Sequence, residues 1–145
     1  MQVDFYHLTR QPLERVLPRL AERVVAGAGR LLIVSADADQ RAALDRLLWD
    51  YAPESFLPHA QAGAMDDAAQ PVLIAPDPAP TNGARHLLIA DGVWREEALG
   101  FDRAFHLFDE AAIAAARAAW RGLADRAGVE RRYWRQGEKG WEQVA

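Results

Sequence analysis

The chain is expected to fold as a single α/β domain over residues 1–145, Rossmann-like and three-layered, with a mostly parallel central sheet. Three observations predict this. Short continuous apolar runs, Leu31-Leu32-Ile33-Val34 and Val72-Leu73-Ile74-Ala75, have the length of strands buried on both faces. The segments between the first strands repeat their apolar residues at helical spacing, so the chain opens β-α-β-α. Finally, 145 residues, 50% of them hydrophobic and 26% charged, suit one core that needs neither disulfides nor metals.

Taken in order, residues 3–8 alternate and are rich in aromatics, which makes them the first strand. Thr9 offers a cap, and Pro12 suits a first helical turn. Leu13, Val16, Leu17, Leu20 and Val24 then keep helical spacing up to Gly27 and Gly29, with Pro18 expected to kink the helix. Strand two covers residues 31–34. Asp37 or Asp39 caps a second helix whose Leu44, Leu47, Leu48 and Tyr51 form one stripe, with Trp49 lying off it.

Residues 52–70 form a connection with Pro53, Pro58 and Gly63, long enough in a compact domain to read as functional or disordered. Strands follow at 72–75 and 86–90, separated by Pro76, Pro78, Pro80 and the turn signal Asn82-Gly83. A further strand fits 104–108. Asp109 caps an alanine-rich helix expected to stop at Gly128, and residues 129–144 alternate like a strand around Tyr133 and Trp134. No internal repeat is visible.

Composition narrows the chemistry. Without cysteine there is no disulfide, thiolate nucleophile, iron–sulfur cluster or Cys-ligated zinc. Residues 1–8 carry no signal-peptide pattern, and no run approaches the roughly 20 apolar residues of a membrane span, so a cytoplasmic protein without membrane contact is expected. The net charge of −4 argues against a duplex-DNA surface. Between Arg117 and Lys139, however, seven basic residues face three acidic ones, a local balance that suits an acidic partner at that end.

Catalytic motifs do not assemble. Ala26-Gly27-Ala28-Gly29 looks like part of a phosphate loop, but these residues end a helix and precede a strand, so they read as a helix C-cap. There is no GxxxxGK[ST] pattern. His7, His59, His86 and His106 lack metal-ligand spacing and read as structural or exposed polar groups, and neither Ser35 nor Ser55 lies in GxSxG. Asp37 and Asp39 are better explained as caps than as ligand groups. No cofactor or metal is expected.

The most distinctive stretch is Leu44-Asp45-Arg46-Leu47-Leu48-Trp49 followed by Glu54-Ser55-Phe56-Leu57-Pro58-His59. Together with Val3-Asp4-Phe5-Tyr6-His7-Leu8, Arg30-Leu31-Leu32-Ile33-Val34, Pro71-Val72-Leu73-Ile74 and Arg132-Tyr133-Trp134, in that order, it resembles the chi subunit family of bacterial DNA polymerase III across nearly the whole chain. The resemblance implies a non-catalytic adaptor of the clamp-loader part of the replicase. Such an adaptor binds the acidic C-terminal tail of single-stranded DNA-binding protein on one side, and the psi subunit or an XPD-like helicase on another.

Carried over residue by residue, the resemblance places psi or helicase binding at Trp49 and Phe56, and tail binding on the last helix at Ile113, Arg117, Trp120 and Arg121. Some family members have a lysine where Ile113 stands. With Ile113 there, that cationic contact to the tail is either lost or supplied by Arg121 or Arg103.

Two other readings compete. One is a small nucleotide-binding or hydrolytic enzyme on the same scaffold, since a fold does not decide a function. The other is a single-stranded nucleic-acid binder that stacks bases on Tyr133 and Trp134.

Overall fold

The computed structural model describes residues 1–51 and 57–145. Eight strands form one sheet in the order β3-β4-β2-β5-β6-β1-β7-β8, parallel throughout except for the terminal β7–β8 pair. In chain order the strands are β1 (Gln2–His7), β2 (Leu31–Val34), β3 (His59–Gln61), β4 (Val72–Ala75), β5 (His86–Ile89), β6 (Arg103–Phe108), β7 (Glu130–Gly137) and β8 (Gly140–Gln143). The helices are α1 (Leu13–Ala26), α2 (Ala38–Asp50) and α3 (Ile113–Gly122).

The apolar runs behave as expected: β2 and β4 are buried along their whole length, because both faces of the sheet are covered. On one face, Val16, Leu17, Leu20 and Ala21 of α1 join Leu44 and Leu48 of α2 in packing over Ile33, Ile74, Leu88 and Leu107. On the other, Ala116 of α3 and the residues around the 3-10 turn Glu96–Gly100 pack over Val3, Phe5, Leu87 and Ala104. This is the three-layer arrangement predicted.

Three local expectations need correction. Thr9 caps nothing: its hydroxyl donates to the Gln136 carbonyl at 3.0 Å, and α1 starts after Pro12 with no side-chain cap. The cap-like service comes from far away, since Gln136 Oε1 accepts from the N–H groups of Arg10 and Gln11 at 2.8 and 2.9 Å. Pro18 lies inside α1, which continues through it. The connection after α2 is not structureless, for it contains edge strand β3 and a 3-10 turn at Asp67–Ala69. The alanine-rich helix ends at Gly122 rather than Gly128, which instead takes φ 76° in the turn leading to β7.

Other readings hold. Asp37 Oδ1 accepts from Asp39 N at 2.9 Å, so Asp37 is the cap of α2. The Asn82-Gly83 turn is pinned by the buried Asn82 amide, which donates to the Leu31 and Gln70 carbonyls at 3.2 and 3.0 Å.

The glycines after α1 do close the helix. Gly29 N donates to Val24 O and Ala28 N to Val25 O, both at 2.9 Å, the paired bonds of a Schellman motif. The left-handed position in that motif is held by Ala28, at φ 62°. A Cβ there costs about 1 kcal/mol that glycine avoids. Ala28→Gly is therefore expected to raise the melting temperature by about 3 °C for a chain of this size. An unchanged or lower value in a thermal melt would contradict this account of the cap.

Candidate functional site

The site is built on the face that carries α3. Asp109 starts it, Oδ1 accepting from Ala111 N at 3.0 Å in a 3-10 turn (Glu110–Ala112) that runs into the helix. The small side chain of Ala116, fully buried, lets α3 lie close against the sheet. Ile113 and Trp120 are half-buried and pack beside it, while Arg117 and Arg121 are exposed. The expected single stripe is thus divided: its apolar members face the sheet, and its arginines line the rim.

Trp120 does not lie on a bare surface. Its ring meets Phe5 edge-on at 5.4 Å between centroids, and Tyr133 at 5.6 Å. The Arg131 guanidinium sits 3.9 Å over the indole, and its Nη1 donates to the Trp120 carbonyl at 2.6 Å. Arg131 and Tyr133 were not legible as parts of this site. They reach it because β7 pairs in parallel with β1, in a register that sets Phe5 beside Tyr133 and His7 beside Arg135. Period-2 alternation does put Arg131, Tyr133 and Arg135 on one face of a strand, but sequence alone does not say that this strand joins β1.

The Tyr133 hydroxyl lies 3.4 Å from His7 Nδ1, and His7 Nε2 lies 2.8 Å from Glu110 Oε1. Burial pushes the Tyr133 hydroxyl above its ordinary pKa, with Arg117, then Arg135, pulling the other way and Glu110 adding to the rise.

The surrounding cations differ in occupation. Arg126 pairs with Glu96 and Arg132 with Glu130, each at 2.9 Å. Arg117, Arg121 and Arg135 form no ion pair among the described residues. The result is an aromatic floor of Trp120 and Tyr133 rimmed by uncompensated guanidinium groups. Such a surface suits an acidic chain with an apolar end.

Two sequence expectations fail here. Arg103 cannot supply the charge missing at Ile113, because its Nε is bound to the fully buried Asp4 at 2.7 Å. Asp4 also accepts from Trp134 Nε1 at 3.0 Å, on the opposite side of the sheet from α3, where Trp134 stacks on Tyr6 at 6.3 Å. For the same reason Tyr133 and Trp134 cannot form one stacking groove. Neighbours in a strand point to opposite faces.

An open crevice of about 770 Å³ lies at the carboxyl ends of the parallel strands, where this architecture commonly binds ligands. Glu14, Asp37, Asp91 and Asp109 line it against Arg10. Asp37 and Asp109 are engaged as caps, and Asp91 accepts from Ala36 N at 2.9 Å, Val93 N at 3.1 Å and Arg95 at 2.7 Å. Those contacts hold the Asp91 carboxyl below its ordinary range against the opposing effect of burial. An acidic lining repels phosphate, so the geometry does not favour a nucleotide there.

The comparisons with known proteins decide the family. The model of "DNA polymerase III chi subunit, HolC" matches residues 1–130. The chain belongs to the DNA polymerase III chi subunit family. Two curated relatives agree. One is the "Probable DNA polymerase III subunit chi" of Rickettsia prowazekii (strain Madrid E), 27% identical over 88 residues, which is 61% of this chain and 53% of that protein. The other is the "DNA polymerase III subunit chi" of Pseudomonas aeruginosa (strain PAO1), 37% identical over 91 residues, 61% of this chain and 62% of that one. The chain thus spans between about half and three fifths of these relatives.

Within this chi-family chain, the motif around Trp49 has a structural explanation. His59 is 4% exposed, its Nδ1 2.8 Å from the Leu57 carbonyl and its Nε2 3.0 Å from the Asp45 carbonyl, so it ties β3 to α2. Trp49 lies against that imidazole at 4.8 Å between centroids and remains 56% exposed. Phe56 lies outside the described residues. Helix α2 covers one face of the sheet and α3 the other, so Trp49 and Trp120 stand on opposite sides. No helix among the described residues is long and apolar enough to cross a membrane.

Proposed function

We propose that this protein is a non-catalytic accessory subunit of bacterial DNA polymerase III, associated with the clamp loader. It acts as an adaptor with two binding faces. The α3 face takes the acidic C-terminal tail of single-stranded DNA-binding protein, using Ile113, Arg117, Trp120 and Arg121. The α2 face, through Trp49 and Phe56, takes the psi subunit or an XPD-like helicase.

The observation that carries this reading is the floor of Trp120 and Tyr133 flanked by Arg117 and Arg121, which have no carboxylate partner among the described residues. A tail that ends in an aromatic residue and a free carboxylate would rest its ring on the apolar edge made by Ile113 and Trp120. Its carboxylate would pair with a guanidinium, in the manner of C-terminal carboxylate recognition. Arg121, one turn further along, attracts the upstream acidic residues and sets on-rate and salt dependence more than affinity.

Calorimetry with a synthetic tail peptide at low salt tests this. Arg117→Ala is expected to weaken binding about tenfold, the scale of one hydrogen bond to a charged group. Arg121→Ala should weaken it less, and Trp120→Ala should weaken it while leaving psi binding intact. Equal binding by wild type and Arg117→Ala would remove α3 from the site.

A further inference from the structure

A carboxylate stands among the exposed arginines of the α3 face without pairing with them, and the reason lies on β1. Glu110 is exposed in the turn that leads into α3. Beyond its own burial, the Tyr133 hydroxyl feels Arg117, then Glu110 with the opposite sign, then Arg135, so all three charges share the surroundings of one phenol. Arg117 and Arg135 nevertheless form no ion pair among the described residues. Glu110 Oε1 lies instead 2.8 Å from His7 Nε2.

The imidazole is fixed by its packing. The His7 side chain is 8% exposed, stacks on Phe108 at 5.1 Å with 15° between the planes, and meets Tyr133 edge-on at 6.2 Å. Rings on two sides hold Nε2 in one direction, and Glu110 follows it. Arg135 sits opposite His7 in the parallel β1–β7 register, and neighbouring strands lie only about 4.8 Å apart. A carboxylate beside His7 is therefore within the span of the Arg135 side chain, and a Glu110–Arg135 pair would cancel a charge that an incoming anion needs.

We propose that His7 is a positioning residue that holds Glu110 away from Arg135 and so keeps this guanidinium open to an anionic peptide. The proposal rests on the tail-binding reading of the α3 face and concerns two residues that need not touch the peptide. Without the imidazole, Glu110 turns to Arg135 and does there what a carboxylate of the peptide would do. Affinity for the peptide then depends on His7 only while residue 110 carries a charge, which neither a packing role nor a direct contact of His7 would produce.

Calorimetry of the full chain at low salt, with an acidic peptide ending in an aromatic residue and a free carboxylate, tests this as a double-mutant cycle. His7→Phe keeps the aromatic stacking and is expected to weaken binding about tenfold, the scale of one lost bond to a charged group. Glu110→Gln alone should change affinity less than about twofold, because an exposed carboxylate already held elsewhere contributes little. In the variant carrying both substitutions, affinity should return to within about twofold of wild type. If His7→Phe also lowers the melting temperature, the comparison with the double variant, which shares that substitution, still isolates Glu110. A second measurement needs no peptide: the Arg135 Nε–H resonance of isotope-labelled protein should shift in His7→Phe and return in the double variant.

Binding by His7→Phe as tight as by wild type would overturn the proposal and leave the tail reading standing. A loss that persists in the double variant would overturn it too, since His7 would then shape the groove or touch the peptide itself. So would an Arg135 resonance that stays in place in His7→Phe. A wild-type chain that takes up no peptide would overturn the tail reading, and this role of His7 with it.

Discussion

Truncating Phe5 to alanine is expected to destabilise the protein by about 3–5 kcal/mol, the range for removing a buried phenyl ring. Phe5 is fully buried in the middle of β1. Its ring lies 6.1 Å from Trp94, 5.3 Å from His106, 6.4 Å from Phe108, 5.4 Å from Trp120 and 6.4 Å from Tyr133. Five aromatic rings would line the void, and rigid rings collapse poorly into a cavity. The same substitution removes the support under Trp120, so tail binding should weaken at temperatures where the variant is still folded. Phe5→Leu should keep most of both properties. Urea unfolding gives the stability difference, and a loss below about 1 kcal/mol would show that this cluster does not hold the face together.

The second large effect is a loss of stability in mild acid, centred on His106. Its side chain is fully buried among Phe5, Trp94 and Phe108, and neither ring nitrogen has a hydrogen-bond partner among the described residues. Burial lowers its pKa from 6.5 to about 4, with Asp91 raising it slightly and Arg95 lowering it. Above pH 6.5 the imidazole is neutral in both the folded and unfolded states, and stability is complete.

As pH falls from 6.5 towards 4, the unfolded chain binds a proton that the folded protein refuses. Stability therefore declines, by about 3 kcal/mol across the window. Below pH 4 both states carry the proton and this contribution stops changing. His86, also lowered by burial, acts in the same direction. Urea melts at pH 7.0, 5.5 and 4.5 should show the decline, and His106→Phe, which fills the same aromatic site without titrating, should flatten it. A wild-type profile that is flat between pH 7 and 4.5 would contradict the burial of a neutral imidazole.

What the sequence made legible follows from which interactions are local. The runs at β2 and β4 announced themselves because strands buried on both faces need apolar side chains at every position. The caps at Asp37 and Asp109 were legible because a carboxylate two residues before an N–H is a local arrangement. Thr9 misled because Gln136, some 127 positions away, performs that service from β7.

The functional face was half-visible for the same reason. Helical spacing grouped Ile113, Arg117 and Trp120, but which side of that group would meet the sheet depended on Phe5 and Ala116. Tyr133, Arg131 and Arg135 entered through the β1–β7 register, a pairing between chain ends that no pattern within β7 encodes. Trp134 was misassigned with Tyr133 because a shared aromatic character hid their opposite orientations.

The central claim, that the α3–β7 face receives an acidic tail, is tested most directly by following the five tryptophan indole N–H resonances of isotope-labelled protein during titration with the tail peptide. The account predicts that the Trp120 signal moves saturably, together with the backbone amides of Arg117, Tyr133 and Arg135, while Trp49 on the opposite face and Trp134, bound to Asp4, stay in place. Shifts centred on Trp49, with Trp120 unmoved, would contradict it.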